Sequence, residues 1–496
     1  MTPLDYGVLA LYFAVVLLLG GVFFRRQKSL REYFLGSRNI PWWAAACSGI
    51  ATMASAVGYL GAPGQAFRSD LTYLQLRLAV LPAMAVICLL LIPFFYRLDV
   101  YTAYEYLEKR FDLKTRLLAS TLFMLLKCFY LGIVIYAPAL VVAQMTGFSM
   151  TWVLVTTGVL TTLYTMLGGI RAVIWTDSLQ LGVLLAGVFA AATTILSRVE
   201  GGISRVFEVA DAGGKLRLAD FSTSFQTEFT VWGGLIGGTF FMLAQYGVDQ
   251  AELQRFLTTS SIRNSRRAVI GTLIVTSVYG VILFLLGSAL YVFYLQHPEK
   301  GGLATHPDRV FPKFIVEELP VGIRGLVIAG VFAAAMSTVS SVLNSLTTVT
   351  LADFYQRLRA SQATVRLART VTVLIGGLAT GIAFYGDSFG GLLVASGRIS
   401  NFFGGSLAGV FLLGMLTRRA TGTGAFLGAL TGFTAVALLA AFTRVSWVWH
   451  AVFSATVAFA SGLLFSLAFP PAPSERLRGL VVGLQESKCE EVRTCP

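Results

Sequence analysis

Apolar runs of about 20 residues recur from one end of this chain to the other, each long enough to cross a bilayer as a helix. A soluble chain of 496 residues divides into several domains with abundant charged surface. Here 56% of residues are hydrophobic and only 13% are charged, and no long polar stretch offers a separate soluble domain. Thirteen spans are predicted, starting near Asp5, Pro41, Leu71, Leu117, Met150, Ala172, Phe229, Ala268, Pro320, Ala368, Ser388, Gly422 and Ser446. The first lacks a basic n-region and a small-residue cleavage site, so it reads as a span rather than a signal peptide. The five cysteines show no pairing pattern and no metal-ligand spacing, and His297, His306 and His450 are scattered. A metal centre or a histidine-based enzyme is therefore not expected.

The net charge of +13 is topological. Assigned to alternate loops, 25 Lys and Arg fall on one side: in Arg25–Arg38, Arg97–Arg116, at Arg171, in Arg255–Arg267 and Arg357–Arg369, at Arg418 and Arg419, and after Pro470. Ten fall on the other side and three inside spans. The positive-inside rule makes the first side cytoplasmic, the N-terminus external and the C-terminus internal, in a cell membrane. Nucleic acid is not an expected partner.

Transporters bind cargo near the midplane, where helices are interrupted at matching positions of two repeats. The second span, AAACSGIATMASAVGYLGAPG, is rich in small residues from Ala44 to Gly64. The seventh, VWGGLIGGTFFMLAQYG, carries Gly233, Gly234, Gly237, Gly238 and Gly247. They lie five spans apart, and an odd offset gives them opposite orientations, the mark of an inverted five-plus-five repeat. Small residues also serve simply to let helices pack closely, and the matched spacing favours the functional reading.

In the ninth span, Ser337, Ser340 and Ser341 share one helical face, with Thr338 and Ser345 on its flank. Such hydroxyls either replace the water shell of a small cation or bond back to carbonyls one turn earlier. Periodicity alone favours the back-bonding reading. Four ionisable residues fall within spans, each costing at least about 2.5–3.5 kcal/mol at a helix centre. Asp177 is placed to neutralise a cation. Arg77 and Arg398 could hold a carboxylate, or Arg77 could snorkel outward and Arg398 pair with Asp387 or face a water-filled cavity. Lys127 is expected to snorkel towards the cytoplasmic interface.

YLGIVIYAPAL (130–140), LGGIRAVIWTDSLQ (167–180), YGVDQAELQR (246–255) and MSTVSSVLNSLTTVTLADFY (336–355) resemble the sodium:solute symporter family, most of all its iodide, multivitamin and monocarboxylate branch. The resemblance runs from about Asp5 through the thirteenth span. It implies an all-α fold of thirteen helices in a single transporter domain. An extra helix and loop (1–40) precede a ten-helix LeuT-type core (41–416), followed by two peripheral helices (417–470) and a cytoplasmic tail (471–496). It implies Na+ as coupling ion, held by the carbonyls of Ala51, Ala54 and Ala334 and the hydroxyls of Ser337 and Thr338. A second sodium site would use Asp177, Ser337, Ser340 and Ser341. The substrate positions it implies are Met53, Val57, Gly58, Arg77, Tyr130, Tyr136, Met242, Gln245 and Gly397, joined by the neighbouring Arg398.

Sugar-carrying relatives have an amide, an acid and an amide where Gly58, Arg77 and Gly397 stand. A buried polar group is penalised when unpaired, so the expected cargo is a small anion, in first place a monocarboxylate. Tyr130 replaces the arginine of sialic acid carriers. Halide, vitamin, sugar or amino-acid symport and proton coupling are the alternatives within transport; a channel or transporter-like receptor is the alternative outside it. A single copy is expected to function alone.

Overall fold

The computed structural model describes residues 2–24, 38–98, 100–166, 170–301, 306–359 and 362–482. Most of the basic segment Arg25–Arg38, the first three residues of the 167–180 motif, Cys489, Cys495 and the tail beyond 482 lie outside them. Among the described residues the regular elements are all helices, apart from an isolated bridge between Ile40 and Thr259.

In chain order the helices are α1 (Pro3–Phe24), α2 (Trp42–Met53), α3 (Ala56–Arg68), α4 (Thr72–Leu98), α5 (Glu105–Arg110), α6 (Leu113–Thr146), α7 (Met150–Met166), α8 (Ile170–Arg198) and α9 (Gly202–Ala212). They continue as α10 (233–248), α11 (Gln250–Phe256), α12 (Ile262–Gln296), α13 (Pro307–Glu318), α14 (Ile323–Val349), α15 (Val365–Ala383), α16 (Leu392–Leu416), α17 (Gly422–Phe442) and α18 (His450–Ser466). Among the described residues nine helices are long and apolar enough to cross a membrane, and counting α2 and α3 as one bent span makes ten. α1 and α7 contain shorter apolar stretches. Each of the thirteen expected starts falls on or beside one of these helices. The four short helices α5, α9, α11 and α13 were not anticipated.

Four helices begin on a side-chain cap at the basic face. Asp112, Ser261, Thr364 and Thr421 each accept the backbone N–H three residues on, at 2.9–3.2 Å, satisfying donors that a helix start leaves orphaned. On the same face Arg110 donates to the carbonyls of Gly414, Thr417 and Ala420, tying α5 to the α16–α17 turn. Arg116 bridges Glu108 at 2.6 Å and Asp353 at 2.5 Å.

α14 is the centre of the bundle: 89% of its apolar window is buried, against 28% in α15 and α17. It packs on α8, α6, α2 and α1, so a polar group on any of its faces meets protein rather than lipid.

The two expected interruptions differ. Between α2 and α3 the chain bends by 54°, with Ala54 at φ −76°, ψ 47° and Ser55 extended at φ −62°, ψ 162°. α10 stays helical but is wound as π-helix over Gly233–Gly237 and Leu243–Val248, a form that recurs at functional sites. Its glycines also serve packing. A Cβ at Gly237 would stand 2.5 Å from the Val448 carbonyl, and one at Gly234 would strike the Gln75 carbonyl. α10 is thus wound differently rather than broken, and its glycines are explained by packing.

Candidate functional site

The bend exposes carbonyls. Ala54 N–H closes the last turn of α2 on Ile50 at 2.8 Å, so from Ala51 onward the carbonyls have no helical donor. α14 faces them. Ser337 Oγ donates to Ala51 O at 2.9 Å and to Ala334 O at 3.2 Å. Thr338 Oγ1 donates to Thr52 O at 2.9 Å and to Ala334 O at 3.0 Å. The structure thus brings Ala51, Ala334, Ser337 and Thr338 together, all buried. Ala54 marks the end of the helix, and the carbonyl that Thr338 reaches is that of Thr52, which the sequence reading missed. These are neutral, hard oxygens converging from two helices, a donor set that suits Na+.

One turn further along α14 the chemistry changes. Asp177 Oδ2 on α8 accepts from Ser48 Oγ at 2.6 Å and from Ser341 Oγ at 3.2 Å, while its buried Oδ1 has no partner. Thr52 Oγ1 donates to Ser341 at 3.0 Å, linking this cluster to the broken helix. Ser340 is not part of it: its hydroxyl bonds back to Ser337 O at 3.1 Å. Ser48 and Arg255 were not foreseen. Arg255 Nε donates to Ser48 at 2.8 Å, and Arg255 Nη2 lies 3.9 Å from Asp177. Arg255 stands at the end of the 246–255 motif, and that placement was the available signal.

A cavity of about 110 Å³ lies beside the break. Met53, Val57, Gly58, Arg77, Tyr130, Gln245 and Gly397 line it as expected, with Ser55, Thr276, Ser396 and Ser400 adding polar surface. Arg77 sits on an eight-residue 3-10 stretch, Thr72–Ala79, longer than such helices usually run. Its Nε is buried without a hydrogen-bond partner, and among the described residues no Asp or Glu lines the cavity. Arg77 therefore turns inward rather than snorkelling.

Three expected substrate positions fall outside this cavity. Tyr136 hydroxyl donates to Asp387 at 3.2 Å, Met242 is buried in the core, and Arg398 faces a separate cavity 4.0 Å from Glu228. Asp387, the suggested partner of Arg398, is engaged by Tyr136 instead. Lys127 also departs from expectation. It is buried, and its Nζ lies 2.5 Å from Asp249 Oδ2; pairing across helices removes the need to reach water. The pair borders a void of about 20 Å³ that shares Met53, Tyr130 and Gln245 with the central cavity, room for about one water.

A helix opened at its midpoint against a hydroxyl-bearing partner, beside a largely apolar cavity with one arginine, is the arrangement of a carrier that couples an ion to a solute. The chain belongs to the sodium:solute symporter family, whose model matches residues 33–432. It is 32% identical over 479 residues to the sodium/sialic acid symporter NanT of Aliivibrio fischeri (strain ATCC 700601 / ES114), covering 94% of this chain and 93% of the relative. It is 33% identical over 413 residues to sodium-coupled monocarboxylate transporter 1 of Homo sapiens, covering 82% and 68%. Among solved structures, a substrate-bound, outward-open Na+-coupled sialic acid symporter superposes with a TM-score of 0.88 at 32% identity, over 95% of this chain and 99% of that one. Mhp1, a nucleobase-cation-symport-1 family transporter, superposes with a TM-score of 0.56 at 14% identity over 88% and 94%, which shows a shared LeuT-like fold. The protein is a multi-pass, sodium-coupled symporter, and its family are transporters rather than enzymes.

Proposed function

We propose that this symporter carries a small carboxylate, with one Na+ held between the broken helix and α14 and a second at Asp177. The observation that carries the substrate reading is Arg77: a guanidinium in a cavity without an acidic residue, its Nε unpartnered. A half-buried guanidinium left without a partner at its buried Nε is costly, and a carboxylate supplies the matching fork. Size supports the same class. Pockets for drug-sized ligands occupy about 300–1,000 Å³, whereas this one holds about 110 Å³, which favours a monocarboxylate over a sialic acid. The relatives include carriers of both kinds.

Sodium bound to Ala51, Thr52, Ala334, Ser337 and Thr338 would tie the bend to α14 and order Met53, Ser55, Val57 and Gly58 along the cavity. Ion and substrate then favour the same conformation, and each raises the affinity for the other. At the second site the unpartnered Asp177 Oδ1 supports cation binding, while Arg255 at 3.9 Å opposes it. We place thirteen spans in one functional monomer, with the N-terminus outside; the cluster of Arg110, Arg116, Glu108 and Arg357 then lies in the cytoplasm. Uptake of a labelled carboxylate panel into proteoliposomes tests the reading. Arg77→Gln is expected to raise KM at least tenfold with folding intact, and unchanged carboxylate uptake in that variant would overturn the substrate class. Unchanged uptake at fixed pH when choline replaces sodium would favour proton coupling.

A further inference from the structure

A second cavity, of about 520 Å³, lies between α16, the segment before α10 and the turn leading into α18. Two guanidiniums line it, Arg398 and Arg444, with Glu228 the acidic residue among the lining groups. Both arginines are exposed; Glu228 pairs with Arg398 at 4.0 Å and accepts the Trp447 indole N–H on Oε1 at 2.6 Å, which leaves Arg444 without an acidic partner among the lining groups. His450 is 8% exposed, and its Nε2 is buried with no hydrogen-bond partner. The cavity therefore holds excess positive charge and an unsatisfied buried nitrogen, the complement of an anion with further polar groups.

Its position relative to the central cavity is defined by one ring. Trp447 lies on Gly397, where any Cβ would stand 2.6 Å from the indole. Trp447 packs edge-on against Phe229 at 6.1 Å between centroids, and Phe229 against Tyr73 at 4.9 Å. Gly397 and Tyr73 line the central cavity, whereas Arg398 and Trp447 line the second. An aromatic partition thus separates two cavities, each carrying arginine.

We propose that the second cavity is a distinct anion site, in which Arg398 and Arg444 hold a carboxylate or another oxyanion ahead of the Trp447 partition. Its placement on the outer face, and the choice of a carboxylate over other oxyanions, rest on the transport reading above; the site itself does not. An anion held there raises the local concentration of cargo at the entrance to the central cavity. The headgroup of an anionic lipid offers the same chemistry, since the neighbouring Phe442 is 81% exposed at the end of α17.

The test is fluorine NMR of trifluoroacetate added to the purified protein in nanodiscs of phosphatidylcholine alone. Measured in the Arg77→Gln background without sodium, which removes binding at the central cavity, saturable line broadening is expected to persist, to be lost when Arg398→Gln/Arg444→Gln is added, and to return with Arg398→Lys/Arg444→Lys, which keeps the charge and controls for folding. Displacement by phosphatidylglycerol in the nanodisc would support the same site with lipid as its competitor. Broadening unaffected by the Arg398/Arg444 pair, or abolished by Arg77→Gln alone, overturns the proposal. A protein that shows no sodium-driven carboxylate uptake yet keeps the Arg398/Arg444-dependent broadening would separate failure of the transport reading from failure of this one.

Discussion

Two polar clusters lie one helical turn apart on α14, and they solve different problems. At Ser337 and Thr338 every oxygen is neutral, and the cluster exists because α2 stops at Met53 and leaves carbonyls to be met. At Ser341 the cluster is organised by charge, Asp177 against Arg255. A cation entering the neutral cage meets no internal counter-charge and displaces only hydroxyl-to-carbonyl hydrogen bonds. A carboxylate with a guanidinium nearby must choose between its own counter-ion and an incoming one. On the proposed reading, the first cluster serves obligatory coupling and the second a conditional ion whose binding depends on where Arg255 points.

The largest expected effect comes from breaking the neutral cluster. Ser337→Ala/Thr338→Val leaves carbonyls without donors, at about 1–3 kcal/mol for each group, and sodium-stimulated uptake should fall at least about thirtyfold at low sodium. Near-normal sodium affinity in that variant would remove the cluster from the coupling mechanism.

Lys127–Asp249 shows what a completed charge pair looks like in this bundle, and it sharpens the contrast with Asp177. Asp249 Oδ1 also caps α11 through Ala251 N–H at 2.8 Å. Lys127→Met should destabilise the protein by about 3–5 kcal/mol by stranding the buried carboxylate, and Lys127→Met/Asp249→Asn should recover most of it. Thermal unfolding in detergent measures both, and equal losses in the single and double variants would deny the pairing.

Asp177→Asn is a finer probe. With two ions the sodium dependence of uptake is expected to have a Hill coefficient above one, falling to one in the variant. A coefficient of one in both proteins would eliminate the charged cluster as a sodium site.

The smallest effect concerns the basic face. Burial raises the Glu108 pKa, but hydrogen bonds from Arg357 and Arg116 and their charges outweigh it, leaving the carboxyl below its usual value. A depressed carboxylate pKa contributes stability above the unfolded value and loses it as pH falls through the folded one. Unfolding temperature should thus drop slightly more between pH 5 and pH 3 in wild type than in Glu108→Gln; parallel curves would show that the bridge adds nothing.

Much of this arrangement was legible in the chain. Span length followed from hydropathy, and the bend at 54–55 fell within the small-residue run 44–64 although neither Gly nor Pro marks it. The exact break was not legible because its partners, Ser337 and Thr338, lie almost 300 residues away. Periodicity of the hydroxyl face favours back-bonding over cation ligation, and the structure divides it: Ser341 turns to Asp177 while Ser340 bonds back. Charge pairing was the least readable feature. Lys127 and Asp249 stand on different helices, and a single sequence carries no record of which charges meet. Arg398 was misplaced for a related reason, since it follows Gly397 but projects to the other side of the Trp447 partition.

The most direct test of the account is the initial rate of labelled lactate uptake into proteoliposomes holding the purified protein, with an inward sodium gradient and with choline in its place. The account predicts sodium-dependent accumulation in wild type and its loss in Arg77→Gln. Sodium-driven uptake of N-acetylneuraminate with none of lactate, pyruvate or other monocarboxylates would contradict it.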